Sequence, residues 1–213
     1  REEQTPMVVV PYAKWQEMGH FPRSSDGVTR PAIKSNTRHQ GADDDWVVFV
    51  SHRWWQPSEG LPDDEEDSKY KIVCRALQAL IPFYELDPDR VVIWCDYACI
   101  DQDDCDLQRQ GIASLISYAA RSDLVLTPVQ SEPEAMAAYS TANHPADLVN
   151  YGERAWCRLE TYMFMCVGEI LMKPPLFFGF GQVPIRHCFG LGCGVTYRWQ
   201  LRKLTSGDTL LDA

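Results

Sequence analysis

Short runs of consecutive apolar residues alternate along the chain with segments whose apolar residues recur every three or four positions. Unbroken runs of β-branched and aromatic residues are typical of strands buried on both faces of a parallel sheet. The three- and four-residue spacing predicts amphipathic helices. The predicted strands cover 46–50, 91–95, 123–127 and 175–180, and the predicted helices cover 68–86, 111–120 and 156–172. This order predicts an α/β fold in which helices cover both faces of a central parallel sheet.

The loops after the first two predicted strands, and the segment that leads into Trp156, have the most unusual local sequences. Polar and aromatic residues are mixed at 51–55, and aspartates are frequent over 96–104. Ligands of parallel sheets covered by helices bind beyond the carboxyl ends of the strands. We therefore expect a functional site where these three segments meet.

The two ends of the chain are less regular. An apolar run at 7–10 stops at Pro11, and turn-forming residues follow it. We predict an N-terminal arm over 1–45, a domain over 46–185 and a C-terminal extension over 186–213. Because the first residue is not Met, we interpret the chain as part of a larger protein.

Charge narrows the range of partners. The formal net charge is −10 and the sequence pI is about 4.9. Such a balance disfavours nucleic acid, because phosphate contacts need clustered Lys and Arg. Much of the acid lies in two runs, 43–45 and 63–67, which we interpret as solvated loop or helix-start surface.

Eight cysteines raise the question of disulfides or zinc. No Cys-x-x-Cys pair occurs, so the spacing favours neither. Cys74, Cys95 and Cys166 lie in apolar stretches, where a reduced thiol packs as a small hydrophobic side chain. We expect no metal and a reducing, cytoplasmic compartment. We also expect no membrane segment, because no apolar run approaches the roughly 18–20 residues that a span needs.

Glu160, at the end of the motif Trp-Cys-Arg-Leu-Glu over 156–160, is the candidate with the most specific chemistry. A glutamate in the first turns of a helix gains modest stability from the helix dipole, which is one sufficient reason for its presence. Alternatively, its carboxylate faces a cleft and binds a sugar hydroxyl. There it would also stabilise the oxocarbenium character that develops as a nicotinamide–ribose bond breaks.

Three motifs in this order resemble Toll/interleukin-1 receptor (TIR) domains. In the TIR domains of plant immune receptors a first strand leads into Ser-Phe-Arg or a close variant, and this chain has Ser-His-Arg at 51–53. Their second strand ends in an aspartate, here Asp96. Their third motif is Trp-Cys, two further residues and Glu at the start of a helix, here 156–160. The same spacing occurs in the TIR domain of the animal NAD hydrolase that drives axon degeneration. The resemblance covers 46–180.

The resemblance has departures. His52 and the paired Trp54 and Trp55 replace residues typical of the plant receptors. The loop that begins at Asp96 also differs from theirs. The chain thus looks like a divergent TIR-like branch, with some similarity to the fungal heterokaryon-incompatibility domains.

The resemblance implies a flavodoxin-like TIR fold and a NAD+ glycohydrolase in immune or cell-death signalling. Such an enzyme releases nicotinamide, with or without cyclisation of the ADP-ribose. NAD+ is then a substrate and not a bound cofactor, and Glu160 is the catalytic carboxylate. The substrate-binding residues that it implies are Ser51, His52, Arg53, Trp54, Asp96 and Trp156.

Individual roles within this set are open. An arginine fork suits the pyrophosphate, so Arg53 is expected there, and an indole face of Trp54 can stack on a base. The alternative is purely structural: the tryptophan pair covers the core, and Asp96 caps a loop. His52 has no partner visible in the sequence and is given no acid–base role.

A non-catalytic signalling adaptor is the alternative function. Many TIR domains only self-associate or bind other TIR domains, and family enzymes commonly need assembly before they turn over, so self-association is expected either way. The presence of Glu160 at the family spacing favours the enzyme.

Three other classes are disfavoured by what the chain lacks. A phospho-acceptor receiver domain needs an acidic pair directly after its first strand, and 51–55 contains no acid. A thiol nucleophile at Cys157 needs a histidine base, and none is placed for it. The glycine-rich segment 190–194 lacks the Lys-Ser/Thr of a phosphate loop and is predicted to be a turn.

Overall fold

The computed structural model describes residues 5–34, 43–128, 159, 160, 162–164 and 166, and the backbone of 176–189 and 192–204. The strands are β1 (Val8–Pro11), β2 (Arg30–Pro31), β3 (Trp46–Val50), β4 (Val91–Trp94), β5 (Leu124–Pro128), β6 (Leu176–Phe189) and β7 (Gly192–Leu204). The helices are α1 (Tyr12–Met18), α2 (Ser68–Phe83), α3 (Asp96–Cys99), α4 (Cys105–Ala113) and α5 (Leu115–Arg121). Residues 159, 160, 162–164 and 166 are also helical; we call them the Glu160 segment.

The strands of the described chain form one sheet in the order β2-β1-β4-β3-β5-β6-β7. The four central strands β4, β3, β5 and β6 are parallel to one another, and the strands at both ends pair antiparallel. In chain order the parallel strands are arranged 2-1-3-4, which is consistent with a flavodoxin-like fold. The predicted α/β class with a parallel centre is confirmed. The complete sheet is mixed, because the two ends of the chain add antiparallel strands.

One face of the sheet is covered by α5 and by the Glu160 segment. Phe49 of β3 stacks on Trp94 of β4 with ring centroids 4.1 Å apart, and Trp94 lies 5.8 Å from the ring of Tyr118 in α5. Phe164 of the Glu160 segment meets Phe49 edge-on at 4.8 Å. We call this side the Phe49 face.

The opposite face is covered by α2. Side chains alternate between the two faces along a strand, so Trp46 lies on the side opposite to Phe49. The ring of Trp46 contacts Tyr84, the residue that ends α2, at 5.3 Å. The apolar stripe predicted for this helix faces the sheet, and its buried positions include Ile72, Val73, Ala76, Leu77 and Leu80. Helices therefore pack against both faces of the sheet.

The N-terminal segment is integrated into this sheet. β1 pairs antiparallel with β4, and α1 follows directly from Pro11 and ends at Gly19, whose φ of 73° is unstrained for glycine. Trp15 of this helix is fully buried against Phe21 and Tyr70, at centroid distances of 5.1 and 5.6 Å. From the sequence, Pro11 is predicted only to end an apolar run. In the structure it is the last residue of β1 and also the extended residue directly before α1, with φ −58° and ψ 141°.

The interpretation of the acidic runs as solvated surface is wrong for Asp44, Asp45 and Asp63, which are buried. Asp45 receives both arms of the Arg30 guanidinium, at 2.7 and 2.8 Å, and the backbone N–H of Ile33. Paired donors of this kind compensate the loss of hydration when a carboxylate is buried.

Asp63 has a different set of donors, all of them backbone N–H groups, and two of the three lie at the start of α2. Its carboxylate accepts the N–H groups of Asp64, Lys69 and Tyr70 at 2.8, 2.8 and 2.7 Å. The first N–H groups of a helix have no partner inside the helix. Asp63 therefore provides the acceptors that the helix start needs, which is why this residue of an acidic run is buried.

The segment after β4 contains more helix than predicted. The range 97–110 was expected to be a loop, but it contains most of α3 and the start of α4. Asp104 begins α4 by accepting the N–H groups of Asp106 and Leu107. The single helix expected over 111–120 is divided at Ser114, whose hydroxyl donates to the carbonyl of Gln110; this bond is a common local alternative to a regular helix.

The C-terminal strands extend beyond the predicted element at 175–180. β6 continues to Phe189 and pairs with β7 along its length, from Phe177↔Leu204 to Phe189↔Gly192. The strand extends because the next strand along the chain, β7, provides its hydrogen-bonding partner, and apolar runs do not indicate this pairing. The boundary that we predict at 185 falls inside β6.

Substitution of Asp63 tests its role at the start of α2. Asp63→Ala should lower the free energy of unfolding by about 2 kcal/mol, because it leaves buried backbone donors without an acceptor. Chemical denaturation measures this change. Glu65→Ala, in the exposed part of the same run, is the control and should change stability by less than about 0.5 kcal/mol. Equal effects of the two substitutions would contradict the capping role.

Candidate functional site

The carboxyl ends of β3 and β4 carry most of the predicted site residues. Ser51, His52, Arg53 and Trp54 follow directly on β3, and Asp96 follows β4 as the first residue of α3. β3 and β4 are parallel neighbours, so both segments leave the sheet at the same edge. The structure divides the residues into two groups.

The first group joins Ser51 to Glu160. The backbone N–H of Ser51 donates to the carbonyl of Leu126 at 3.0 Å, which continues the strand by one residue and places its side chain on the Phe49 face. The Ser51 hydroxyl donates to Oε2 of Glu160. Phe164 lies one helical turn after Glu160 and contacts Phe49. Glu160 and Phe164, which are four residues apart on the helix, therefore contact Ser51 and Phe49, which are two residues apart along the strand.

Both members of this pair are buried. Ser51 is 1% exposed and Glu160 is 2% exposed. A buried carboxylate is energetically unfavourable unless hydrogen bonds compensate it, and the Ser51 hydroxyl supplies one of them. Such a residue differs from an ordinary helix-start glutamate, which lies at the surface.

The second group is centred on Asp96. Nε2 of His52 lies 3.0 Å from Oδ1 of Asp96, and the indole N–H of Trp54 donates to Oδ2 at 3.1 Å. The backbone N–H of Tyr97 also donates to Oδ1, at 2.7 Å. The His52 side chain is 1% exposed, whereas that of Asp96 is 17% exposed. Asp96 is thus the acceptor that ties His52 and Trp54 together at the rim of the sheet.

Lys69, in the first turn of α2, completes this group and was missed by the sequence analysis. It is 0% exposed, and its ammonium lies 3.2 Å from Nδ1 of His52. It also donates to the backbone carbonyls of Arg53, at 2.7 Å, and of Pro62. The helical spacing of α2 does indicate its burial, because position 69 lies three and four residues before Ile72 and Val73 on the apolar stripe, whereas Lys71 lies off this stripe and is exposed.

The contact with Lys69 determines the protonation state of His52. An ammonium has donors only, so Nδ1 of His52 accepts, and the proton of the neutral ring lies on Nε2 and is donated to Asp96. Burial lowers the pKa of His52, and the Lys69 charge lowers it further; together they outweigh the opposing influences of Asp96 and of the Arg53 backbone.

Asp96 remains ionised in this arrangement. Burial by itself raises the pKa of Asp96, but the interaction with His52 and the hydrogen bonds from Trp54 and Tyr97 outweigh it, and the net shift is downward. The group therefore consists of a positive Lys69, a neutral His52 that bridges, and a negative Asp96.

Arg53 and the two tryptophans differ in their surroundings. Arg53 is half-buried, and its Nε has no hydrogen-bond partner within the described residues. Trp54 is half-buried and lies edge-on to Tyr97 at 5.5 Å. Trp55 is buried in the core, under the ammonium of Lys69 at 4.8 Å. Of the pair, Trp55 therefore packs the core and Trp54 lies at the site.

The N-terminal segment also reaches this site. The buried ring of Phe21 lies 5.3 Å from the ring of His52 and 5.6 Å from the ammonium of Lys69. A phenylalanine among turn-forming residues does not indicate such a contact in the sequence.

Trp156, the remaining predicted site residue, lies outside the described residues. Among the described residues no group of three or more His, Cys, Asp or Glu side chains is arranged to hold a metal ion. No helix in the part of the chain that the structure describes is long and apolar enough to cross a membrane.

A surface depression of about 450 Å³ lies at the opposite edge of the sheet. It is lined by Asp44, Trp46, Tyr84, Glu85, Leu86, Asp87 and Arg90. Trp46 begins β3 and Arg90 directly precedes β4, so the depression is at the amino ends of these strands. It is separate from the residues around Glu160 and Asp96.

Comparisons with known proteins return no match: no family model, no curated protein and no solved structure matches the chain. The geometry of the two groups is therefore the basis for a functional proposal.

The neutral, buried state of His52 predicts a pH dependence of stability. The pKa of His52 in the folded protein is below its ordinary value of 6.5, so below pH 6.5 the unfolded chain binds more protons at this residue. Stability should then fall as the pH falls from 6.5, by at most about 1.4 kcal/mol per pH unit, until the folded pKa is reached.

His52→Gln removes this titration while keeping a donor and an acceptor, and should flatten the slope between pH 6.5 and 5 in pH-dependent denaturation. His20→Gln, at an exposed histidine, is the control and should keep the wild-type slope. An unchanged slope in His52→Gln would rule out a buried neutral His52.

Proposed function

We propose that the chain is a TIR-like NAD+ glycohydrolase with a flavodoxin-like TIR fold and that Glu160 is its catalytic carboxylate. The observation that carries the proposal is the buried hydrogen bond from Ser51 to Glu160 at the carboxyl ends of the parallel strands. Ligands of doubly wound sheets bind at this edge, and a desolvated carboxylate there interacts strongly with a developing positive charge.

The proposed reaction breaks the bond between the ribose and the nicotinamide of NAD+. The bonding electrons leave with neutral nicotinamide, and the ribose acquires oxocarbenium character that the Glu160 carboxylate stabilises. Water then adds to the ribose, which yields ADP-ribose and a proton. In the cyclising variant a nitrogen of the adenine takes the place of water. Because Glu160 is 2% exposed, the residues that cover it must move when the ribose enters.

The proposed binding surface for the rest of the nucleotide is the Asp96 group. Arg53 provides a cation for the pyrophosphate, which matters in a chain with a net charge of −10. The ring of Trp54, held by Asp96, provides a flat surface for a base. The expected setting is cytoplasmic immune or cell-death signalling.

Replacement of the carboxylate tests the proposal directly. Glu160→Gln should lower the rate of nicotinamide release from NAD+ by at least about 100-fold, because the amide is neutral and does not stabilise the cationic transition state. Chromatography of the products at high protein concentration measures the rate and also separates linear from cyclic ADP-ribose.

Glu59→Gln, at an exposed glutamate, is the matched control and should keep the wild-type rate. Circular dichroism establishes that Glu160→Gln is folded. A folded Glu160→Gln that turns over NAD+ at the wild-type rate would overturn the assignment of Glu160.

An adaptor that works by self-association is the second candidate, and exposed apolar side chains on α4 and α5 favour it. Leu107, Ile112 and Ile116 are 45%, 41% and 62% exposed. Ile112 and Ile116 are four residues apart on either side of the break at Ser114. Exposed apolar surface of this kind is characteristic of protein–protein contacts.

A charge introduced into this apolar surface separates the two candidates. Ile116→Asp should weaken self-association about tenfold or more, because a contact that buries an apolar side chain would then bury a charge. Sedimentation over a range of concentrations measures the change. Phe83→Asp, at another exposed apolar residue on α2, is the control. If wild type releases no nicotinamide and binds no NAD+ but self-associates through Ile116, the adaptor is favoured.

A further inference from the structure

We infer that Lys69 is a positioning residue whose buried ammonium holds Arg53 and Trp54 in place at the site. What Arg53 and Trp54 bind rests on the proposed function. That Lys69 holds them is a separate statement, which rests on the contacts of the described residues.

The ammonium joins the two ends of one loop. Lys69 donates to the carbonyl of Arg53, where the chain leaves β3, and to the carbonyl of Pro62. Between these points the loop forms a narrow hairpin. The backbone N–H of Trp55 donates to the same Pro62 carbonyl at 3.2 Å, and Gln56 and Leu61 exchange two backbone hydrogen bonds at 3.2 and 3.1 Å. Lys69 therefore closes the loop from 53 to 62 at its base, next to the backbone of Arg53.

The third contact of the ammonium leads to Trp54. The ammonium of Lys69 donates to Nδ1 of His52, and Nε2 of the same ring donates to Oδ1 of Asp96. Oδ2 of Asp96 in turn accepts the indole N–H of Trp54. A donor on Nδ1 leaves the proton on Nε2, and this proton is what attaches Asp96 to His52. The orientation of the Trp54 indole thus depends on Lys69 through two intermediate side chains.

The chemistry of the ammonium explains why a lysine occupies this position. Desolvation of a charge in the core is unfavourable by several kcal/mol unless hydrogen bonds and nearby charges compensate it. Here three acceptors match the three N–H donors of the ammonium. The rings of Trp55 and Phe21 lie 4.8 and 5.6 Å from it and add cation–π attraction. An apolar side chain would fill the same volume at lower desolvation cost but would hold none of the acceptors.

Lys69 lies apart from the Glu160 pair. His52 directly follows Ser51 and its side chain meets α2, which covers the Trp46 side of the sheet. Ser51 and Glu160 meet on the Phe49 face. Loss of the ammonium should therefore loosen the residues proposed to bind the nucleotide, and it should leave the bond-breaking step at Glu160 largely intact. The expected signature is a higher KM with little change in kcat.

The first test compares two lysine-to-methionine substitutions in α2. In Lys69→Met the backbone amides of Trp55, Gln56 and Leu61 should exchange hydrogen at least about tenfold faster than in Lys71→Met, the exposed control. KM for NAD+ should rise about tenfold, and kcat should stay within about threefold. Exchange measured by NMR does not depend on activity, so it tests the positioning role even if the protein does not cleave NAD+.

The second test retains Lys69 and changes its link to Trp54. His52→Gln keeps an acceptor for Lys69 and a donor for Asp96, whereas His52→Phe keeps only the ring that packs on Phe21. KM should rise about tenfold in His52→Phe and by clearly less in His52→Gln. This pair also replaces the first test if Lys69→Met does not fold.

The outcomes separate the two proposals. Wild type that neither binds nor cleaves NAD+ overturns the proposed function, and faster loop exchange in Lys69→Met would still support the positioning role. Equal exchange in Lys69→Met and Lys71→Met overturns the positioning role, whatever the activity. A fall in kcat with unchanged KM in Lys69→Met, or equal KM values in the two His52 variants, also overturns it.

Discussion

The alternation of side chains along β3 decides which residues of the candidate site face the Glu160 segment and which face α2. Because successive residues of a strand point to opposite faces, Phe49 and Ser51 face the Glu160 segment, and Trp46 lies on the side that α2 covers. One strand therefore supplies both groups of the candidate site. A shift of the β3 register by one residue would exchange the two faces, and it would separate Ser51 from Glu160. The parallel pairing with β4 and β5 that fixes this register is thus the constraint on which the site depends.

Three buried charges in the described part of the chain are each compensated by hydrogen bonds. Asp45 is held by the Arg30 guanidinium, Asp63 by backbone N–H groups, and Lys69 by carbonyls and a neutral imidazole. Each arrangement connects segments that are distant in the chain or fixes the start of a helix. Because a buried charge is unfavourable unless it is compensated, these residues specify which segments meet. The N-terminal segment is part of this system through Phe21, which packs on His52.

Much of the fold could be predicted from local patterns. The strands at 46–50, 91–94 and 124–128 and the helix at 68–83 follow from apolar runs and helical spacing, because burial on one or two faces leaves a direct record in the order of residues. Elements without a clear apolar pattern were missed. They include α1, the division at Ser114 and the extension of β6 along the neighbouring strand β7.

The sequence by itself determined the α/β class, the parallel centre and the residues at its carboxyl edge, including Ser51, Asp96 and Glu160. Only the tertiary structure decided which of these residues are partners. It joined Ser51 to Glu160 over 109 positions and His52 to Asp96 over 44, and it brought in Lys69. The reason is physical: a side chain's periodicity records whether it is buried, but its partner depends on strand register and helix docking. Helical spacing separates Lys69 from exposed Lys71, but only the docking of α2 brings the Lys69 ammonium to His52 and to the carbonyls of Arg53 and Pro62.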